Sequence, residues 1–543
     1  MRMRHVVIIG AGVGGLTAAL RLAAAGVEVT VVESAAGPGG KMREVMAGGA
    51  SIDSGPTVFT MRWVFDELAT DVGLSLDDHI KCQPTRTLAR HGWSDGARLD
   101  LFADLDQSVA AIEAFSGAQD ALAYRAFAAR AQGIYATLKD SFIRASRPNL
   151  FQLSRRIGLS RWSELMRLSP YSTLADALAG SFRDPRLRQL FARYATYCGS
   201  SPYAAPATLM LVAHVEREGV WLVEGGMQRL AEGLAAMAQR CGATLLYNRR
   251  AVRILVEGGR ACGVELADGQ RLAADAVIMN GDLSALGAGL LGPDVTGAVP
   301  MTPIKARSLS AITWSMQAKT QGFPLLRHNV FFSDAYRAEF DDILIHGRPP
   351  RAPTVYVCAQ DRGDPSRAPG AQPQSERLFC LINAPANEDG APLQPSDLRS
   401  CEDATFRHLE RCGLTVTPVE GARVMTTPAD FGQMFPASRG ALYGPAQNGW
   451  MASFARPGAR TRLPGLYVAG GGVHPGPGVP MAALSGRQAA LSVMTDLGST
   501  APFHPAATPG GLSLRPATTG DRESPPPRAA PAADARTRST TAP

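Results

Sequence analysis

The sequence predicts an α/β fold in which a parallel sheet covered by helices is joined to further strands and a helical region. Three observations predict it. The apolar run His5 to Ile9 is closed by Gly10, helical periodicity follows from Leu16 to Ala25, and a second apolar run occupies Val27 to Val32, a β-α-β order. Those runs are continuously apolar rather than alternating, which implies burial on both faces and hence a parallel sheet. A second strand, glycine turn and helix recur between Gly465 and Gly486. At 543 residues the chain exceeds the size at which one core stops growing, so two or more packed domains are expected.

Composition removes several classes. With 45% hydrophobic residues there is ample material for a core, and the 56 Gly and 39 Pro follow no collagen period, which excludes fibre and wholesale disorder. No apolar run reaches the 18 or so residues of a spanning helix, so the chain does not read as an integral membrane protein. The net charge of +7 is spread along the chain without a recognition motif, which argues against nucleic acid as a partner. Eight cysteines (Cys82, Cys198, Cys241, Cys262, Cys358, Cys380, Cys401 and Cys412) form no CxxC pair, and the opening MRMRHVVIIGAG is not a signal peptide. A reduced, cytoplasmic setting with no disulfide and no metal site is the expectation.

Taken in order, the first turn carries the sharpest chemistry. Gly10, Gly12 and Gly15, with Gly14 between them, form GxGxxG directly after a strand and at the start of a helix, and Glu33 ends the next strand. Gly10 permits the tight turn, Gly12 lets backbone approach a pyrophosphate, and Gly15 lets the helix sit close on the strand. The helix N-terminus then offers N–H groups and a dipole to the anion. Glu33 can accept hydrogen bonds from ribose hydroxyls, and its charge repels a 2′-phosphate, which favours FAD or NAD over NADP. Gly39-Gly40-Lys41 and Ile52-Asp53-Ser54-Gly55-Pro56 then add tight turns that a nicotinamide domain does not need. From about Asp104 to Glu218 the pattern is helical, around Val252 to Val277 two hairpins fit, and from Thr500 onward the Pro, Ala, Thr and Ser composition predicts a disordered tail. The late turn around Gly470 and Gly471, followed by Val479 at a helix start, can hold the middle of a long bent cofactor.

Together, GAGVGG with Glu33, GGK at 39 to 41, Glu224-Gly225-Gly226-Met227, AlaAspAlaVal at 274 to 277 and LYVAGGGVHPGPGVPMAALSG resemble the FAD-dependent phytoene and carotenoid desaturase family, over about residues 5 to 495. Within it, PGPGVPMAALSGR and the insert Gly92-Trp93-Ser94-Asp95-Gly96 look most like the 1-hydroxycarotenoid 3,4-desaturase branch, the hydroxyneurosporene dehydrogenases of purple bacteria. The resemblance implies a Rossmann-like FAD-binding domain of the flavin amine oxidase and carotenoid desaturase type, an α+β substrate domain and a helical membrane-facing region. It divides the chain into a discontinuous FAD-binding domain (1–80, 220–305 and 425–498), a substrate and membrane-associating region (81–219 and 306–424) and the tail 499–543. By the same likeness Gly10, Gly12, Gly14, Gly15, Glu33, Gly40, Lys41, Gly55, Gly470, Gly471 and Val479 bind the cofactor. The segment Asn248-Arg249-Arg250-Ala251 falls where the family places contacts to adenine, with Ala251 at the usual Val position. One departure is the Gly470-Gly471-Gly472 run, where many related flavoproteins carry Gly-Asp, so contact there is by backbone.

The resemblance implies loss of hydride from C4 of an acyclic carotenoid to the flavin and of a proton from C3, since no side chain can accept an electron pair. Glu216, Arg217, Glu218 and His474 are candidates near the flavin, with His474 read rather as shaping its turn and the two glutamates as solvated; no catalytic residue is assigned. There is no second GxGxxG for a nicotinamide, so electrons leave to oxygen or a quinone. Because the substrate is insoluble in water, loading from the bilayer is expected. Phe142 to Leu168, with Arg144, Arg147, Arg155, Arg156, Arg161 and Arg167 among apolar residues, fits a helix lying on an anionic lipid surface of the inner membrane. Phytoene desaturation, carotenoid cis–trans isomerisation and a non-enzymatic escort-type lipid-binding role on the same architecture are the alternatives.

Overall fold

The computed structural model describes residues 4–157, 172–363, 375–386, 393–449 and 451–498. The expected tail lies outside them, as do Arg161 and Arg167.

The apolar runs form a five-stranded parallel sheet in the spatial order Thr244–Leu246, Glu28–Val32, His5–Ile9, Ala276–Met279, Leu466–Val468. Val6, Val7 and Ile8 have no exposed surface, because helices cover one face of the sheet and the antiparallel strands Ala251–Glu257 and Arg260–Leu266, rather than the expected second helical layer, cover the other. Strand His5–Ile9 has its sequence neighbour on one side and Ala276–Met279 on the other. The strand order therefore reverses there, and a crevice opens at its carboxyl end, where Gly10 stands. Helix Val13–Ala24 leaves that crevice and packs against Gln228–Arg240 and Val479–Asp496. The second of these contacts is close because a Cβ on Gly486 would overlap the Gly14 carbonyl.

The two expected hairpins are a three-stranded antiparallel sheet, Ala251–Glu257, Arg260–Leu266 and Arg271–Ala273, the first turning on Gly258 and Gly259 at φ +56° and +74°. Seven further strands build a sheet in the order Leu414–Thr426, Ser310–Gly322, Glu376–Ala384, Val355–Ala359, His328–Phe331, Thr87–Gly92, Arg98–Phe102. Its pairs are antiparallel except His328–Phe331 with Thr87–Gly92. Helices Leu105–Ser116, Ala118–Leu138, Pro185–Ala192 and Leu211–Glu218 lie in the stretch read as helical; Asp104 starts it, its side chain accepting the Gln107 N–H at 2.8 Å.

The hairpin Glu44–Ala47 and Ala50–Asp53 packs on the seven-stranded sheet. The buried Asp53 carboxylate accepts the N–H groups of Met227 (2.7 Å) and Gln228 (3.2 Å) at the start of helix Gln228–Arg240, and burial raises its pKa. Gln360 of the larger sheet bonds the Asp53 backbone on both sides, accepting from N and donating to O.

The single helix expected over Phe142 to Leu168 is corrected. Lys139–Ile143 is a π turn closing helix Ala118–Leu138, Arg144 to Asn149 is not helical, and a separate helix runs Leu150–Ile157, after which residues 158–171 are outside the described set. Pro148 explains the break, since proline disfavours helix in the residue before it and lacks an N–H. The arginines are also unequal. Arg144 makes a two-pronged pair with Glu67 (2.9 and 2.8 Å) and Arg147 donates to Phe454 O (2.9 Å), whereas the Arg155 side chain is exposed.

Candidate active site

At the crevice, glycine is a packing requirement. A Cβ on Gly15 would overlap the Gly10 carbonyl, and one on Gly14 would come to 2.9 Å from Gly470 N and 3.1 Å from Ala482 O. Gly10 adopts φ +99°, and its Cβ would stand 2.6 Å from Asn280 O. Gly12 is the N-cap of helix Val13–Ala24 with no side-chain cap, so the N–H groups of the first turn face the cavity without a protein partner at the cap. Gly39 donates to Ala11 O (2.9 Å), which brings Gly40, at φ +61°, beside Gly12. A Cβ on Gly55 would overlap Lys41 O. Lys41 donates to Leu442 O and lies 5.3 Å from the Phe435 ring centre. Lys41 lines the cavity, and desolvation there lowers its pKa.

Glu33 ends its strand with the carboxylate turned to the same place, accepting the Ala11 N–H (2.7 Å) and the Ala35 N–H (2.8 Å). Arg249 N donates to Glu33 O (2.7 Å) and Asn248 N to Ala35 O (2.9 Å), so the segment ending at Ala251 flanks Glu33. The late turn meets the first: Gly470, at φ +110°, donates to Ser485 Oγ (3.1 Å), and Val479 opens an 18-residue helix after Gly478 at φ +116°. Every one of the proposed cofactor residues, Gly10, Gly12, Gly14, Gly40, Lys41, Gly55, Glu33, Ala251, Gly470, Gly471 and Val479, lines one cavity, except Gly15, which packs beneath it.

Two residues of this end were missed in the sequence. Asn280, directly after strand Ala276–Met279, donates to Gly10 O (3.2 Å) and fills the space beneath the two glycine turns. A polar residue ending a fully buried strand was its available signal. Arg456 is 1% exposed and donates to Gly471 O (2.9 Å), Tyr443 O (3.1 Å) and Pro445 O (2.6 Å), bracing the late turn; burial lowers its pKa to about 10. It had no sequence signal, because its acceptors are backbone carbonyls, which no residue type announces.

The cavity, about 1160 Å³, exceeds the usual range of small-ligand pockets and extends beyond the glycine turns into a second chamber. That chamber has an apolar wall that includes Leu138, Phe142, Ile143, Leu153, Leu209 and Val215. It also holds a polar cluster. Glu216, 6% exposed, accepts hydrogen bonds from Tyr194 (2.8 Å) and Tyr197 (2.7 Å), and Tyr356 Oη bonds Thr57 Oγ1 (2.7 Å) and His328 Nδ1 (2.8 Å).

Of the four candidates near the flavin, Glu216 alone lines the cavity, and the expectation that it is solvated is corrected: it sits on the inner face of helix Leu211–Glu218, satisfied by two tyrosines. Glu218 and Arg217 turn to His214 instead (3.2 and 3.3 Å). His474 has no exposed surface; its Nε2 is 3.0 Å from both Phe142 O and Ala145 O, and burial lowers its pKa to about 4, so it is a neutral brace of the π turn.

Residues 13–494 match the flavin containing amine oxidoreductase family. The chain is 50% identical over 521 residues to the hydroxyneurosporene desaturase of Rubrivivax gelatinosus, covering 96% of this chain and 99% of that one. It is 32% identical to the 1-hydroxycarotenoid 3,4-desaturase of a Flavobacterium species, covering 89% and 98%. The crystal structure of an oxidoreductase from Methanosarcina mazei shares the fold, with TM-score 0.55 at 19% identity and coverage of 90% and 100%. A glycine cradle that admits only backbone, an acid ending the second strand and a second helix N-terminus at the same cavity fit FAD, and with these relatives they show that the chain is an FAD-dependent oxidoreductase belonging to the carotenoid desaturase family of flavin containing amine oxidoreductases.

Proposed function

We propose that the protein desaturates an acyclic carotenoid, by 3,4-dehydrogenation of a 1-hydroxy or 1-methoxy substrate such as hydroxyneurosporene. The observation that carries this reading is the continuity of one cavity between the glycine cradle and a chamber with an apolar wall, wide enough for cofactor and polyene end together. FAD, held by the cradle residues named above, supplies the hydride acceptor. The chain's own contribution is position and dryness. The chamber wall excludes water from the cation that hydride loss from C4 would leave on the polyene, and holds C3 and C4 where the transfer is possible. Oxygen or a quinone takes the electrons onward.

Substrate would enter beside helix Leu150–Ile157, which the structure puts at the cavity: Leu153 is buried and lines it, while Phe151 is 75% exposed and Arg155 is exposed. An exposed aromatic and an exposed cation on a helix whose Leu153 lines the cavity suit a peripheral association with the cytoplasmic face of the inner membrane. Among the described residues no helix is long and apolar enough to cross a membrane.

Anaerobic incubation of the purified flavoprotein with a 1-hydroxy acyclic carotenoid tests the reading. Bleaching of the flavin with a product lighter by two hydrogens is expected. A product of unchanged mass would transfer the protein to the isomerases, and a purified protein without flavin absorbance to the escort class.

A further inference from the structure

Arg193 is a cation inside the protein with most of its donors unspent. It begins the 3₁₀ stretch Arg193–Cys198 and lines the second chamber. Among the described residues its guanidinium makes one hydrogen bond, from Nη2 to Tyr197 Oη (2.6 Å), and lies 4.9 Å from that ring's centre. The counter-charge, Glu216, is reached only through the Tyr197 hydroxyl, which donates onward to it. Arg193 Nε is buried without a partner, and so is the hydroxyl of Tyr336, which also lines the chamber. Burial works against the charge on Arg193, but Tyr197, Glu216, Tyr194 and Tyr356 outweigh it and raise its pKa, so the guanidinium stays charged. A guanidinium has five N–H donors in a rigid fork, and leaving them dry costs free energy that an oxygen acceptor would offset.

The position identifies the acceptor. The field of Arg193 reaches Tyr336 and Tyr356, and Tyr356 is hydrogen-bonded to Thr57, two residues beyond Gly55 of the cofactor cradle. The cluster therefore stands where the cofactor half of the cavity meets the substrate half. In a 1-oxygenated acyclic carotenoid the oxygen is on C1, close to the C3 and C4 atoms that lose hydrogen. A receptor for it must lie beside the redox centre, and a hydrocarbon end there would leave the guanidinium unpaired.

We propose that Arg193, with the Tyr336 hydroxyl, is the receptor for the C1 oxygen of the substrate and selects 1-oxygenated acyclic polyenes over the corresponding hydrocarbons. This rests on the desaturase reading above. Arg193 donates to the substrate oxygen and Tyr336 completes its hydrogen bonding. A methoxy oxygen, which can only accept, is served by the same two donors.

The test compares holoenzymes of the wild type, Arg193→Gln and Tyr336→Phe on two substrates, a 1-hydroxy acyclic carotenoid and the hydrocarbon with the same conjugated system, through the ratio of their kcat/KM values. A charged hydrogen bond to a substrate hydroxyl predicts that the ratio falls about tenfold or more in Arg193→Gln and a few-fold in Tyr336→Phe. Flavin absorbance reports folding, and if Arg193→Gln loses it, Tyr336→Phe decides. Variants that keep the wild-type ratio, or a wild type that does not discriminate, overturn the proposal. A flavin-loaded wild type that desaturates neither substrate overturns the functional reading itself, a different result from either.

Discussion

The two halves of the cavity are built by opposite means. The cofactor half is made of backbone: Gly12, Gly14, Gly40 and Gly470 are held so close that no Cβ fits without displacing a neighbour, or adopt φ values that favour glycine. The substrate half is made of side chains, with Arg193, Glu216, Tyr336 and Tyr356 arriving from a 3₁₀ turn, two helices and a strand. A backbone site tolerates no added atom, whereas a side-chain site can exchange its groups singly. Change in the first half should cost the cofactor, and change in the second should alter what is bound.

The sharpest break in that contrast is Gly15→Val. Its Cβ would overlap Gly10 O and lie 3.0 Å from Asn280 Nδ2, neither of which can withdraw while the turn persists. We expect flavin-free protein destabilised by about 3 kcal/mol or more, read from flavin absorbance and the urea midpoint. Gly297→Ala, with open space at that Cβ, should change neither. Normal flavin content in Gly15→Val would mean that the turn is adaptable and the contrast false.

The substrate half is vulnerable instead through charge. Glu339, 1% exposed, accepts the Thr354 N–H (3.0 Å) and Asn383 Nδ2 (3.2 Å), residues that line the chamber. Burial raises its pKa from 4.5 to about 7, against the lowering effect of its hydrogen bonds. A raised carboxyl pKa means that the folded state holds the proton more tightly. Its contribution is complete below about pH 4.5, is lost as pH rises through about 7, and then stays lost, a change of roughly 3 kcal/mol. Glu339→Gln, neutral at every pH, should flatten the difference between urea unfolding at pH 5 and pH 8. An unaltered difference would show that this carboxyl does not titrate in that range.

The same division explains what could be read in the sequence. Glycine turns are local requirements, so GxGxxG, Gly39-Gly40 and the late turn declare themselves within a few residues, and strand burial follows from apolar continuity. Asn280 and Arg456 bond carbonyls that only the folded chain brings near, Gly10 O and Gly471 O, and no spacing announces them. Glu216 shows the cost of periodicity without partners: beside exposed Glu218 it reads as solvated, until Tyr194 and Tyr197 cover it. Phe142 to Leu168 has helical composition, but composition does not register the break before Pro148.

Glu33 sharpens the comparison, because it is an acidic side chain in the half built mainly of backbone. Glu33→Ala removes a charged acceptor from the proposed ribose position and from the Ala11 and Ala35 N–H groups that it orders. A hydrogen bond to a charged group contributes roughly 1.5–3 kcal/mol, so FAD affinity should fall by about one to two orders of magnitude while binding persists. Titration of the apoprotein with FAD measures it. Complete loss of binding would place Glu33 with the glycines rather than with the exchangeable side chains.

The smallest effect is expected outside both halves, at the proposed entrance. Arg155 is exposed on helix Leu150–Ile157, whereas Arg144 and Arg147 in the same stretch are engaged with Glu67 and Phe454 O. Arg155→Gln should therefore weaken co-sedimentation with anionic vesicles by about 1 kcal/mol. That loss should disappear in high salt, where the attraction is screened within a few ångströms. Phe151→Ser tests the other component, because burial of an aromatic ring in the headgroup region does not depend on ionic screening. Its loss of vesicle binding should persist at every salt concentration. Since neither side chain touches the cradle, both variants should keep the flavin spectrum, and a fall in turnover confined to substrate presented in vesicles would trace the defect to loading. If both variants bind vesicles like the wild type, the entrance lies elsewhere, and Leu153 then serves only to wall the chamber.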